Sequence, residues 1–200
     1  SERLEALLPD ASPQEIVRHH SFSLSPKRQD SFDTAGLERS VFEQFTASRL
    51  TYRYDDSSDG IFDIDFQIAQ GELVAVTGQV GSGKTTLVKQ GIGLLKPTSG
   101  GLTLGAHDLV KDPSAARQLC SYLPQAPMPI ESFKVREAIQ LTGMIRGGDG
   151  PSVRARADEL MTAMGVDEWR DTVGSKLSGG VRRLVGFIMV TVWPGRVVIL

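Results

Sequence analysis

Residues 78–86 read Gly-Gln-Val-Gly-Ser-Gly-Lys-Thr-Thr, between an apolar run (Leu73-Val74-Ala75-Val76-Thr77) and a stretch of helical pattern opening at Lys84. No other stretch narrows the fold so far. The spacing G-x-x-x-x-G-K-[ST] calls for a strand, a tight glycine turn and a helix in succession. Glycines let the main chain turn so that successive N–H groups converge on phosphate oxygens. The helix that follows points its N-terminal N–H groups and the positive end of its dipole at the same place. Gly78, Gln79, Val80, Gly81, Ser82 and Gly83 then form a phosphate cradle. Lys84 is expected to reach the β- and γ-phosphates, Thr85 to place its hydroxyl on Mg2+, and Thr86 to add a donor. Alone, the loop specifies a purine nucleoside triphosphate. It leaves kinase, GTPase, helicase and transporter ATPase open.

Composition removes other classes. The 200 residues are 40% hydrophobic and 23% charged, the balance of a soluble globular chain rather than a disordered one. Lys+Arg is 22 against Asp+Glu 24, a net charge of −2, so no nucleic-acid partner is expected. Cys120 is the single cysteine, which excludes a disulfide-stapled scaffold. His19, His20 and His107 are not spaced with cysteines, so no metal-ligand cluster is expected. The longest apolar run, from Leu184 to Trp193, is too short to cross a bilayer. The opening SERLEALLPD lacks the basic start and apolar core of a signal peptide.

Residues 1–47 differ from the rest. Two short helical patterns, the second opening at Ser12-Pro13, lead into the Ser-rich linker SFSLSPKRQDSFDTAG. From Ser48 the pattern becomes regular. SRLTYRY reads as a strand, DDSSDG as a turn, and IFDIDFQI alternates strictly. LVAVTG suits a buried parallel strand. A helix is expected from Lys84 to about Leu95, ended by Lys96-Pro97-Thr98-Ser99-Gly100, and GLTLGAHDL gives a strand and turn. SYLPQ is a short strand entering a Pro-broken loop. Residues 133–170 read helically with an interruption at RGGDGP, LSGG opens a long apolar helix, and RVVIL is a buried strand. No internal repeat is visible, and the class is α/β.

Lys176-Leu177-Ser178-Gly179-Gly180 offers a hydroxyl, flexible main-chain N–H groups and a helix start, which suits either a second anion site or an ordinary N-cap. Gln125, in a Pro-flanked loop, would by itself be a solvated residue. The order decides: phosphate loop, Gln125, helical segment, Leu177-Ser178-Gly179-Gly180, hydrophobic strand. With these residues in this order, residues 48–200 resemble the nucleotide-binding domain of ATP-binding-cassette (ABC) transporters.

The resemblance implies a P-loop NTPase core, a mainly parallel sheet with flanking helices. It adds an antiparallel β subdomain and a helical subdomain at about 126–176. It implies ATP and Mg2+ as ligands. Tyr54 matches the adenine-stacking aromatic in preference to Tyr52, because ring-on-purine stacking suits an aromatic just before a turn. Gln125 matches the glutamine that helps hold Mg2+ and water and senses the membrane domain. Ser178, Gly179 and Gly180 match the signature that binds the γ-phosphate of ATP on the opposite subunit. Two such domains would sandwich two ATPs head to tail, with Lys84, Gln125 and Ser178 in catalytic roles and Thr85 and Gln125 on the metal. A transmembrane domain, fused upstream or separate, is the other implied partner, and the place is the cytoplasmic face of a membrane. The tail is similar to the linker of exporter-type half-transporters, so the implied direction is export.

Two departures count. Val181 stands where the signature usually has Gln, and Gly101 where Glu is common. RVVIL resembles the Walker-B strand, yet the Mg2+-binding Asp, the catalytic Glu and the switch His that normally follow are not among the 200 residues. General-base catalysis is usually worth about 10²–10⁴-fold, so very poor hydrolysis is expected of these residues alone. The alternatives are a truncated nucleotide-binding remnant and a soluble ABC-family ATPase of repair or translation. The latter would call for a coiled-coil insertion between Gln125 and Ser178, for which the spacing is too short.

Overall fold

The computed structural model of the chain describes residues 44–55, 59–126, 128 and 130–200. The expectations for the tail up to residue 43, including His19 and His20, lie outside the described residues.

The first layer is an antiparallel sheet in the order β2-β1-β3-β4. It is built from β1 (Gln44–Arg53), β2 (Gly60–Ala69), β3 (Ser99–Leu104) and β4 (His107–Asp108). β1 opens at Gln44, ahead of Ser48, because Phe45 and Ala47 continue its inward face; Phe45 pairs with Ile68 and Leu104, and Ala47 with Phe66 and Leu102. The register shifts after Ala47, where Arg49 takes a φ of 46° and its N–H is met by Asp65 Oδ1 at 2.8 Å. Gly100 crosses this bulge at φ 85°, and a side chain there would collide with the Arg49 carbonyl.

Helices α1 (Lys84–Gly91) and α2 (Pro113–Leu119) accompany this sheet. Its core joins Phe45, Leu50, Leu102, Leu104, Leu109, Ile92, Ala115, Ala116 and Cys120. α1 ends earlier than the expected Leu95. Gly93 turns left-handed at φ 69°, where a side chain would press on the Pro113 carbonyl of α2 at 2.7 Å.

The parallel element is the pair β5 (Cys120–Tyr122) and β6 (Val197–Ile199). β6 is half-exposed rather than buried, with Val198 at 39%. Residues 73–78 (LVAVTG), expected as a buried parallel strand, form no ladder, and Leu73 is 80% exposed. A parallel strand is buried only when strands flank it and helices cover it. None of the described residues pairs with this segment.

The helical layer contains α3 (Val135–Ile145), α4 (Gly150–Ala163) and α5 (Gly179–Thr191). Its core is separate: Val135, Ile139, Val153, Ala157, Met161, Val166, Val185 and Ile188. The interruption at RGGDGP falls between α3 and α4. Gly147 turns at φ 94°, and Asp149 caps α4 by accepting the Ser152 N–H at 3.0 Å. The apolar helix read from LSGG is α5, which buries Val185, Gly186, Ile188, Met189 and Val190 on one face. Among the described residues no helix is long and apolar enough to cross a membrane.

Candidate functional site

The phosphate loop folds because its glycines occupy conformations a side chain resists. Gly81 and Gly83 have φ 86° and 87°. A Cβ on Gly83 would strike Ile61 of β2, and one on Gly78 would lie 2.8 Å from Ser82 Oγ. The loop delivers the chain into α1 with Gly83 as N-cap and no side chain capping the helix. The other main helices are closed by their own residues: Asp112 caps α2, Glu137 reaches back at the start of α3, Asp149 caps α4, and Ser178 caps α5. At α1 the first-turn N–H groups are left to something other than a side chain.

Lys84 folds over this loop. Its Nζ donates to the carbonyls of Gly78 at 2.8 Å and Gln79 at 2.6 Å, and to Ser82 Oγ at 3.3 Å. The ammonium is thus held within the loop, on acceptors it can exchange for anionic oxygens. Thr85 is exposed. Thr86 is 6% exposed, and its hydroxyl is 2.8 Å from Tyr54 Oη. Thr86, expected to offer a donor to phosphate, is therefore engaged with Tyr54. Tyr54 stands at the end of β1, edge-on to Tyr52 with ring centroids 4.9 Å apart. Of the two tyrosines, Tyr54 is the one whose hydroxyl meets α1.

These groups fit a nucleotide's phosphates. An uncapped helix start, a left-handed glycine cradle and one cation held by its own loop match a polyanion, and the exposed Thr85 hydroxyl can face a hydrated Mg2+ that the phosphates carry. Among the described residues no cluster of three His, Cys, Asp or Glu could hold a metal ion alone.

The remaining site residues sit elsewhere. Gln125 is exposed in the bend after β5. Ser178, Gly179 and Gly180 are exposed at the start of α5, where Ser178 Oγ accepts the Val181 N–H at 3.3 Å. Val181 packs against the helical core, which accounts for an apolar residue at that position. Among the described residues no hydrogen bond joins the Ser178 turn to the phosphate loop. The structure thus brings Tyr54 to the phosphate loop and keeps the second anion turn apart. Sequence reasoning missed Arg183, which donates to the Pro124 carbonyl beside Gln125 at 2.7 Å. Its only sequence signal was a charged pair, Arg182-Arg183, on an otherwise apolar helix.

Known proteins are similar to this chain in sequence and fold. The family model described as "ABC transporter" matches residues 61–200. The lactococcin transport/processing ATP-binding protein LcnC-like of Lactococcus lactis is 30% identical over 161 residues, 76% of this chain and 22% of the relative. The daunorubicin resistance ATP-binding protein DrrA3 of Streptomyces coeruleorubidus is 36% identical over 134 residues, 66% of this chain and 41% of the relative. This chain therefore spans less than half the length of either. Among solved structures, cbiO1 of Clostridium perfringens, part of the transporter complex cbiONQ, superposes with a TM-score of 0.68 at 25% identity, over 77% of this chain and 63% of that one. A bacterial Atm1-family exporter with ATP bound gives 0.67 at 20% identity, over 78% of this chain and 28% of that one, a likeness of fold.

Proposed function

We propose, from the premise that the chain belongs to the ABC transporter family, that residues 48–200 bind ATP and form part of the unit that hydrolyses it in the intact protein and drives outward transport. Residues 1–47 are read as a connecting tail and about 126–176 as the helical subdomain. The observation that carries the reading is the phosphate loop, with an uncapped α1 start and Lys84 Nζ on the Gly78 and Gln79 carbonyls.

ATP supplies a reactive anhydride and the charge that holds Mg2+. This chain's residues do the rest. The main-chain N–H groups of residues 81–86 bind phosphate oxygens, and Lys84 moves from its two carbonyls onto them. Thr85 orients the metal's hydration shell with Gln125. The Tyr54 ring offers a face to the base. The exposed Ser178–Gly180 turn is free to meet the phosphates of a second copy, which supports a head-to-tail pair of nucleotide-binding domains. Binding energy then goes into closing that pair, and the motion passes to a transmembrane partner at the cytoplasmic face. Relatives named for lactococcin transport and daunorubicin resistance support the outward direction.

The test is calorimetric titration with Mg-ATP, followed by sedimentation velocity. The expected result is saturable binding that Lys84→Ala weakens about 10- to 100-fold, and a nucleotide-dependent shift to a dimer that Ser178→Arg prevents. No heat of binding, or a monomer at saturating nucleotide, would overturn the reading.

A further inference from the structure

Gln125 lies at a junction between the two cores. Two residues before it, the Leu123 N–H donates to the Ile199 carbonyl of β6 at 2.9 Å. One residue before it, the Pro124 carbonyl accepts from Arg183 Nη1 of α5 at 2.7 Å. The chain entering Gln125 is thus fastened first to the sheet and then to the helix whose N-cap is Ser178.

The far side of the same loop is fastened by the neighbouring arginine. Arg182 Nη1 pairs with Glu131 Oε1 at 3.6 Å, and its Nη2 donates to the Gly174 carbonyl at 3.0 Å. Gly174 and Ser175 in turn bond the Phe133 and Glu131 carbonyls at 2.9 and 3.2 Å. One turn beyond the two arginines, α5 lies close against Leu123 and Met128. A Cβ on Gly186 would stand 3.1 Å from Leu123 Cδ1 and 3.4 Å from Met128 Cγ. An exposed arginine bond contributes little to stability. Two in succession, holding Pro124 and Glu131 from one helix, set where those two residues sit against it instead.

We propose that Arg183, backed by Arg182, is a positioning residue: it locks the Gln125 loop to the Ser178–Gly180 turn, so that a displacement at either is carried to the other along α5. The inference rests on the reading of Gln125 as the nucleotide-facing glutamine. A rigid helix that both sites bias is the physical form such coupling takes.

The test is amide hydrogen exchange on the full chain, unsubstituted and as Arg183→Gln and Arg183→Lys, without nucleotide and with Mg-ATP. Without nucleotide, Arg183→Gln is expected to speed exchange at residues 125–126 and 178–182 about threefold or more, with β1 and α4 unchanged, whereas Arg183→Lys stays near the parent. With Mg-ATP, the parent is expected to change exchange at both segments. Arg183→Gln keeps protection of the phosphate loop but loses most of the change at 178–182. Unaltered exchange at both segments in Arg183→Gln, or a rise spread evenly over the whole chain, would overturn the proposal. Absent phosphate-loop protection in the parent would instead overturn the nucleotide reading, and the nucleotide-free comparison would still decide the clamp.

Discussion

The Tyr54 hydroxyl lies 2.8 Å from Thr86 Oγ1 and ties the end of β1 to the first turn of α1. Thr86 is almost completely buried, so its hydroxyl depends on this partner. The same ring is the one read as a face for the base. Hydroxyl and ring therefore separate by substitution. Tyr54→Phe is expected to cost about 1 kcal/mol in urea unfolding and to change ATP affinity by less than about threefold. Tyr54→Ala is expected to weaken ATP by about tenfold or more, the usual worth of base–aromatic stacking. Equal ATP affinities for the two variants, by calorimetry, would remove the ring from the site.

Lys84 makes the converse case. Its three acceptors belong to its own loop and are open to water, so they add little to stability. Its worth appears when a polyanion replaces them. Lys84→Met should leave the melting temperature within about 2 °C of the parent while lowering ATP affinity about 10- to 100-fold. A large stability loss with unchanged affinity would reassign Lys84 to holding the loop.

Residues 72–79 leave Leu73 80% and Val76 52% exposed on a segment without ladder partners. Such a segment is a template for pairing with another chain. Light scattering of the 200-residue chain should rise with concentration, and Leu73→Lys with Val76→Thr should suppress that rise. If the double variant scatters as the parent does, the segment is not the adhesive surface.

The same segment shows how far local sequence reaches. The glycine spacing at 78–83 prescribed a turn and helix because φ and phosphate geometry are local demands, and both stand in the structure. The alternation of β2 and the cap at Ser178 are local in the same sense. Burial of Val74 and Val76 is not local. It depends on neighbouring strands, and the apolar run carries no information on whether they are present. The Tyr54–Thr86 and Arg183–Pro124 bonds were illegible for a related reason. Each joins residues far apart in the chain, and a tyrosine or arginine alone names no acceptor.

Arg146 is another long-range join. At the end of α3 its Nε donates to the Trp193 carbonyl at 2.9 Å, Nη2 to Gln118 at 3.1 Å, and Nη1 to Cys120 at 3.4 Å. One planar fork thus fastens the helical layer to the end of α2 and the start of β5. Lysine cannot reproduce three divergent donors. Arg146→Lys should cost about 1–3 kcal/mol, seen as a fall of about 3–10 °C in melting temperature. A variant as stable as the parent would show that the apolar contacts suffice to join the layers.

The thiol of Cys120 faces that same junction, donating to the Gly91 carbonyl at 3.6 Å. Burial pushes its pKa up to about 11 from an ordinary 9.0, with the Arg146 charge only partly opposing the rise. Below pH 9 the thiol is protonated whether the chain is folded or unfolded, and its contribution to stability is complete. Between pH 9 and about 11 the unfolded chain releases this proton and the folded chain retains it, so stability falls as pH rises through that window. Cys120→Ala should lose this part of the alkaline slope. Because Cys120 is the single cysteine, labelling gives an independent readout. Iodoacetamide at pH 8 should modify the folded chain at least about a hundredfold more slowly than the chain in urea, since reaction requires an exposed thiolate. Comparable rates in the two states would place the thiol at the surface and remove both expectations together.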